Sequence, residues 1–466
     1  MSTVDLARLQ FASTSIYHFF FVPVTIGLSF LVAILHTMWF RTQKPEYRKL
    51  TRFFGTLMLI NIAVGVVTGL VQEFEFGMNW SAYSKFVGDV FGAPLAVEGL
   101  AAFFLESTFL GLWIFGWDVL PRRIHLATAW LVFIGSALSA AFIMAANSWM
   151  QHPVGYTTNP TTHRPELSSF GALFSNPVFI WGYLHVILAS LVTGALLMLA
   201  VSAWHIHRKM NVEPFRRTAV LSVALLIPLM FVQLGVGSHL GVIEDKYQPM
   251  KISAAEAQWT NCQPCSFSAF QIGGGKNDET PTKVINIPHL LSILATGSWN
   301  GSVEGLNEIN AQYQQEYGPG NYIPNVFIQY WSMRVMAYLG SLVLLLALFG
   351  GFLLWRRKLE RSRLFLFLAI WAVVTPFLMN TAGWLLTENG RQPWIVQGLL
   401  QTSQGASPSV STTDIVLSLS AFYGIYLVLG IVAAFLMLRY GRRGLEEEHE
   451  ESVDSETSPP VPALTY

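Results

Sequence analysis

The stretch Gly383-Trp384-Leu385-Leu386-Thr387-Glu388-Asn389-Gly390-Arg391-Gln392-Pro393-Trp394 sets a carboxylate, a guanidinium and two tryptophans at the end of a long apolar run. A helix facing hydrocarbon carries nothing ionisable unless something else holds the charge. The run before it, 364–386, is one of nine segments with the roughly 20 apolar residues needed to cross a bilayer core. The other eight are 13–40, 53–75, 92–117, 126–147, 178–204, 217–239, 326–355 and 413–438. The chain therefore reads as an all-α polytopic membrane protein, a bundle of nine transmembrane helices.

Composition agrees. Of 466 residues, 52% are hydrophobic and 12% charged, against about 25% charged in an average soluble protein. A soluble enzyme is excluded, and no nucleic-acid partner is expected. No cleavable signal is expected either: the first apolar run, starting near Phe11, is too long and lacks a basic leader and a small-residue cleavage site.

An odd number of spans puts the termini on opposite faces, and the basic residues say which is which. Arg41, Lys44, Arg48, Lys49 and Arg52, then Arg122 and Arg123, then Arg208, Lys209, Arg216 and Arg217 fall on one face. So do Arg356, Arg357, Lys358, Arg361 and Arg363, and finally Arg439, Arg442 and Arg443. The other face receives Arg8, Lys85, Arg164, Lys246, Lys251, Lys276, Lys283 and Arg391 over much longer loops. The N-terminus is expected outside and the C-terminus in the cytoplasm. The chain then divides into helices 1–6 over 1–240, an outer loop over 241–325, helices 7–9 over 326–440, and a tail over 441–466 whose acidic, Ser- and Pro-rich part reads as disordered. Cys262 and Cys265, the two cysteines of the chain, lie in the outer loop. An oxidising compartment favours a short-range disulfide there over a thiol or zinc site.

Polar residues inside the spans need a reason. His18, His185, Met336 and Glu388 fall on four different segments, each within a few turns of the outer face. Singly, a histidine is a hydrogen-bonding residue between helices and a methionine is core packing. Together they are a set with which a bundle binds metal or heme. Glu98 and Glu106 lie eight residues apart, near two helical turns; with His125 and Ser139 they suggest a proton path from the cytoplasm. Gln72, Glu73 and Glu75 close the second segment, where an interfacial role accounts for them. Arg334 precedes Met336 by two positions and Arg391 follows Glu388 by three; each suits a clamp for a buried anion or a plain Arg–Glu pair. Trp384, one turn before Glu388, is placed for the edge of a cofactor.

Several motifs are similar to one family. Arg8-Leu9-Gln10-Phe11 precedes His18, and Gly92-Ala93-Pro94-Leu95-Ala96-Val97-Glu98-Gly99 is followed by Phe104-Leu105-Glu106-Ser107-Thr108. Asn147-Ser148-Trp149-Met150-Gln151-His152-Pro153-Val154-Gly155 and the Glu388–Trp394 stretch complete the set. Over nearly all of positions 1 to 440 the chain resembles subunit I of cytochrome bd-type quinol oxidases, of the class with a short outer quinol loop.

The resemblance implies that His185 and Met336 hold a low-spin heme b. His18 and Glu388 match the ligands of a high-spin heme b and a heme d, with His18 favoured for heme d, and Glu98 matches a carboxylate beside heme d. Trp384 and Arg391 match groups around the high-spin pair, and Arg334 matches a guanidinium beside the low-spin heme. Lys251 and Glu256 match the quinol-oxidising residues; five positions apart, they flank a quinol rather than share a helix face. The implied activity is quinol:oxygen oxidoreduction, electrogenic and not proton-pumping, in the bacterial cytoplasmic membrane. A second membrane subunit is expected, with small single-helix subunits as a further expectation. The rivals are a relative with heme b replacing heme d, an ion-coupled transporter built on Glu98 and Glu106, and a heme-bearing assembly subunit. The transporter requires no His185/Met336 pair, and the assembly subunit no Lys251/Glu256 site.

Overall fold

The computed structural model describes residues 2–275 and 279–445. Lys276 and the acidic tail over 446–466 lie outside the described residues. The helices in chain order are α1 (Thr3–His18), α2 (Val22–Thr42), α3 (Pro45–Met78), α4 (Ser81–Val97), α5 (Phe104–Phe115) and α6 (Arg122–Gln151). After a short hairpin of β1 (Tyr156–Thr158) and β2 (Pro165–Leu167) come α7 (Phe170–Ser175), α8 (Pro177–Arg208), α9 (Val212–Tyr247) and α10 (Pro249–Ala255). A second hairpin, β3 (Phe267–Ile272) and β4 (Thr282–Ile287), leads to α11 (Leu290–Thr296), α12 (Leu306–Tyr317), α13 (Val326–Trp355), α14 (Arg363–Trp371) and α15 (Thr375–Gly390). A third, β5 (Trp394–Val396) and β6 (Leu400–Gln401), precedes α16 (Thr402–Gly405) and α17 (Thr412–Gly441).

Among the described residues nine helical stretches are long and apolar enough to span a membrane. The nine expected spans are therefore present, and the strands are confined to three antiparallel two-stranded hairpins. Three spans are interrupted, each next to a proline that cannot donate to the carbonyl four residues back. Pro23 opens α2 and separates it from α1. Pro94 lies inside α4, which passes through a π-helical turn, Glu98–Phe103, into α5. Pro376 opens α15 behind the 3-10 turn Ala372–Val374. The first two breaks set His18 at a tight turn and Glu98 at a π turn, and π turns often mark functional positions. Because α1 begins at Thr3, His18 is the last of its 16 residues and stands four turns along it, not the one or two that a run starting near Phe11 indicates.

The core lies where α2, α3, α8 and α9 cross, with α13 and α14 against them. At the α2–α8 crossing a Cβ on Gly27 would meet the Ser190 carbonyl at 2.2 Å, and one on Gly194 would meet the Gly27 backbone at 2.4 Å. Only small residues allow this approach, the usual device where lipid removes the hydrophobic drive between helices. Burial is uneven across the bundle: 67% of the most apolar window of Pro177–Arg208 is buried, against 6% for Ser81–Phe115. The outer loop has its own core of Met250, Trp259, Leu306, Ile309 and Tyr322, and Trp394 joins it by stacking on Tyr322 at 5.5 Å. Cys262 and Cys265 form a disulfide, as expected.

Candidate functional site

His18 closes α1 with its Nδ1 2.9 Å from Thr68 Oγ1 on α3. The Thr68 hydroxyl donates to the Gly65 carbonyl at 2.9 Å, so its one hydrogen is committed and its oxygen accepts from His18. That puts the ring proton on Nδ1 and leaves the Nε2 lone pair for a metal, the usual second partner of a ligand histidine. Gly69 makes room for the ring, since a Cβ there would stand 3.2 Å from His18 Cε1. The same device recurs twice: a Cβ on Gly237 would come within 3.2 Å of His185 Cε1, and one on Gly383 within 3.3 Å of Met336 Sδ. All three ligand-type side chains are seated against a glycine of a neighbouring helix.

His185 on α8 meets Gln233 Nε2 of α9 at 3.3 Å through either ring nitrogen. That contact is long and shared, and Gln233 Oε1 is buried without a partner. A cavity of about 20 Å³ lies here, bounded by Val192, Met230, Gln233, Met379 and Asn380. Gly383 brings α15 onto Met336 of α13, and Phe19 packs edge-on against Trp384 at 4.9 Å. The four ligand-type residues thus stand on helices whose contacts run α1 to α15 to α13, with α8 and α9 beside them.

Glu388 accepts from Asn147 Nδ2 at 2.8 Å and pairs with Arg391 Nη2. Arg391 is 5% exposed, yet its Nε and Nη1 have no partner. Unmet donors on a buried guanidinium cost stability, and an anion such as a heme propionate would satisfy them. The donor set therefore fits a heme: a histidine with a free Nε2, a second histidine and a methionine each seated against a glycine of a neighbouring helix, and a buried arginine with spare N–H groups. The Asn147 contact continues further. Gln151 Nε2 donates to Asn147 Oδ1 at 2.8 Å, Lys251 Nζ donates to Gln151 Oε1, and Lys251 reaches Glu244 Oε2 at 2.7 Å. An unbroken chain of hydrogen bonds joins loop residue Lys251 to Glu388. Gly390 permits the approach, because a Cβ there would meet Lys251 Cγ at 2.4 Å.

Glu256 leaves the other way. Its Oε2 is 2.7 Å from Arg334 Nη2, and Arg334 also donates to the Ser268 carbonyl at 2.7 Å and to the Ala255 carbonyl. The guanidinium lies over the Tyr330 ring at 3.7 Å, a cation–π contact in a dry setting. Lys251 and Glu256 are both buried and, as their spacing predicts, face different partners. Burial pushes the Lys251 amine down, against the pull of Glu244. Burial pushes the Glu256 carboxyl up, against Arg334, and its Oε1 has no partner.

On the opposite side Glu98 Oε1 accepts from Ser139 at 2.6 Å, while Glu106 Oε1 accepts from Ser136 at 2.8 Å. Across the π turn that lies between them, the two carboxylates look onto one neighbour, α6, as their spacing of eight residues predicts. Each meets its own serine, three residues apart on α6. The i,i+3 spacing of Ser136 and Ser139 was the signal by which the sequence reading could have found Ser136. His125 is buried with Nε2 2.8 Å from the Trp113 carbonyl, and its ring lies 4.8 Å from that of His36, which no motif in the sequence singles out. The interfacial reading of Glu75 is corrected: it is fully buried, and Thr14 Oγ1 lies 3.0 Å from its Oε2. Glu73 is exposed.

Histidine, methionine and carboxylate inside a membrane-spanning helix bundle, beside an arginine with spare donors, make a donor set suited to a redox prosthetic group. The chain belongs to the family described as cytochrome bd terminal oxidase subunit I, whose profile matches residues 6–445. It is 44% identical over 464 residues to cytochrome bd ubiquinol oxidase subunit 1 of Bacillus subtilis (strain 168), covering 98% of each chain. It is 39% identical to cytochrome bd-II ubiquinol oxidase subunit 1 of Escherichia coli (strain K12), covering 95% of this chain and 96% of the relative. In three dimensions it is similar to a chain of the bd oxidase from Geobacillus thermodenitrificans, with a TM-score of 0.86, 27% identity, and coverage of 95% of this chain and 99% of that one. The protein is thus a multi-pass bacterial membrane subunit of a heme-bearing terminal quinol oxidase, a family that works as a complex with a second subunit.

Proposed function

We propose that quinol is oxidised in the outer loop, 241–325, at the extracytoplasmic face, and that oxygen is reduced to water with protons drawn from the cytoplasm. Lys251 orients the quinol, and Glu256, its carboxyl raised by burial, accepts a proton that leaves to the outside. His185 and Met336 hold a low-spin heme b; His18 and Glu388 hold the two high-spin hemes, with His18 on heme d and Glu388 on heme b. Arg391, with its spare N–H groups, meets a propionate; Arg334, its donors taken by Glu256 and two carbonyls, stands beside the low-spin heme; Trp384 packs against a heme edge, and Glu98 stands beside heme d. When bound, the hemes supply electron transfer and oxygen reduction. His125, Glu106 with Ser136, and Glu98 with Ser139 hand protons inward by carboxyl–hydroxyl exchange. The excess of Lys and Arg in one set of loops supports an outside N-terminus. Protons released on one face and consumed from the other separate charge without a pump.

The observation that carries this reading is the hydrogen-bond chain from Lys251 through Gln151 and Asn147 to Glu388. It makes the loop and the proposed heme ligand one unit, which neither a transporter nor an assembly subunit requires. The relatives' names include ubiquinol and, for a third protein 27% identical, menaquinol, so both quinols belong in the assay. The test is an optical spectrum of the purified complex together with quinol-driven oxygen consumption. A low-spin heme b, a chlorin band and turnover are expected. A spectrum without the chlorin band would reassign heme d to heme b, and a heme-free protein that takes up no oxygen would sink the proposal.

A further inference from the structure

Between α1, α3 and α17 runs a polar seam that the reaction proposed above does not use. Gln10, Thr14 and His18 recur every four residues on α1; Thr68, Gln72, Glu75 and Asn79 recur every three or four on α3, so each set shares a helix face. The faces meet. Asn79 Nδ2 donates to Gln10 Oε1 at 2.9 Å, Ser15 Oγ donates to Gln72 Oε1 at 2.8 Å, and Thr68 holds His18. From α17, Ser418 donates to Gln10 Oε1 at 3.2 Å and the Tyr426 hydroxyl reaches the Thr68 carbonyl at 3.4 Å.

Glu75 is the carboxyl in this seam, fully buried, and no lysine or arginine pairs with it among the described residues. The buried or half-buried titratable groups at this end of the elements packed around it are Tyr17 and His18 of α1, Tyr426 of α17 and Tyr83 of α4, while Glu73 of α3 and Tyr423 of α17 are exposed. Asp5, Arg8, Lys85, Asp89 and Asp414 sit on exposed positions of the same helices. An ionised carboxylate would lack a counter-charge in a low-dielectric seam, which strongly disfavours that form. Hydrogen counting agrees. Thr14 has one hydroxyl hydrogen but three oxygens in reach: the Gln10 carbonyl at 2.9 Å, the Phe11 carbonyl at 3.1 Å and Glu75 Oε2 at 3.0 Å. A protonated Glu75 resolves the competition, donating to Thr14 Oγ1 while Thr14 donates to its own helix. The remaining Glu75 Oε1 and the Nε2 atoms of Gln10 and Gln72 are buried without partners, an arrangement that calls for a small exchangeable ligand.

We propose that Glu75 is a proton-binding site, protonated while the iron held by His18 is reduced, that releases its proton through the Gln10/Asn79 end of the seam as an electron leaves that iron and regains it as one arrives. The step is COO⁻ plus H⁺ to COOH, with the proton exchanged with water as an electron arrives or leaves; no other reactant is needed. The redox half of the proposal rests on His18 being a heme ligand.

The experiment compares the wild-type complex with Glu75→Gln, which keeps the shape and neutrality of the protonated acid, and with Thr14→Val. Infrared difference spectra in H₂O and D₂O read the C=O stretch of protonated carboxyl groups, and a spectroelectrochemical titration reads the high-spin midpoint potentials against pH. The expected result is that E75Q keeps full heme content, loses one protonated-carboxyl band, and flattens the pH dependence of one high-spin midpoint potential; T14V shifts that band without removing it. The proposal is overturned if E75Q loses no such band, or loses it with every potential–pH slope unchanged. Failure of the heme reading itself is seen separately, as full heme content in His18→Ala.

Discussion

The outer loop and the Ser81–Phe115 helix both carry groups proposed to move protons, yet they are built in opposite ways. In the loop, Lys251 and Glu256 are sealed among partners of this chain, each matched to a buried opposite charge. On the helix, Glu98 and Glu106 meet only serine hydroxyls, and the surrounding surface is open: Leu100 is 76% exposed, Phe104 67% and Phe115 80%. A buried ion pair is fixed, because removing one partner strands the other. A carboxyl–hydroxyl contact survives protonation, since serine both donates and accepts. The loop is suited to hold a substrate in one geometry, and the helix to pass protons.

The strongest way to break this contrast is Arg334→Leu. It strands Glu256 and should destabilise the loop by about 3–5 kcal/mol, with quinol oxidation falling by about 10²-fold or more; calorimetry and oxygen consumption read the two effects. Wild-type turnover in this variant would show that the pair holds nothing. Glu106→Gln keeps a side chain able to accept from Ser136 but cannot carry a proton. Oxygen consumption should fall by about 10²-fold with the heme spectrum and thermal midpoint unchanged, and loss of stability instead would make the helix another fixed pair.

Gln151→Leu cuts the chain between Lys251 and Asn147 and leaves buried polar atoms unmet. A cost of about 1–3 kcal/mol in stability is expected, together with a raised KM for quinol, whereas Ser139→Ala should cost about 1 kcal/mol and leave that KM alone. The pH profile sharpens the same point. Because burial raises the Glu256 carboxyl, the proton acceptor is lost as pH falls through that raised value, so the acid limb of kcat/KM should lie above the ordinary carboxylate range. For stability the sign is the reverse: a raised pKa favours the folded state below the unfolded value, and that contribution is lost as pH rises through the folded one. A stability–pH curve of Glu256→Gln against wild type measures it. The smallest effect on turnover belongs to Cys262→Ser with Cys265→Ser: closing so short a loop contributes about 2 kcal/mol at most to stability, and turnover should persist.

Much of this was legible in the chain. The spans follow from runs of about 20 apolar residues, and the prolines at 23, 94 and 376 mark the helix breaks, although hydropathy alone passes over them. Ionisable groups inside apolar runs point to His18, His185 and Glu388 because such residues are rare there, while Met336 stands out by its depth beside them and by the resemblance of the motifs. Their partners were not legible. Arg334 and Glu256 are 78 positions apart, and Asn147 and Glu388 are 241. Glu75 reads as interfacial because its neighbours in sequence end a span, and helices distant in sequence bury it, Thr14 of α1 among their residues.

What the sequence determined by itself is therefore the number of helices, the polarity of their connections and which side chains stand where hydrocarbon would exclude them, since all three are local sums over a few turns. The tertiary structure decided which of those side chains meet, through close crossings such as Gly27 on Gly194 and the docking of α10 on Gly390. Pairing depends on helix rotation and depth, and a residue-length error in either sends a side chain to a different neighbour. That is why the Glu388–Trp394 stretch announced a buried charge from the sequence, while its link to Lys251 appeared only when the loop was folded over it.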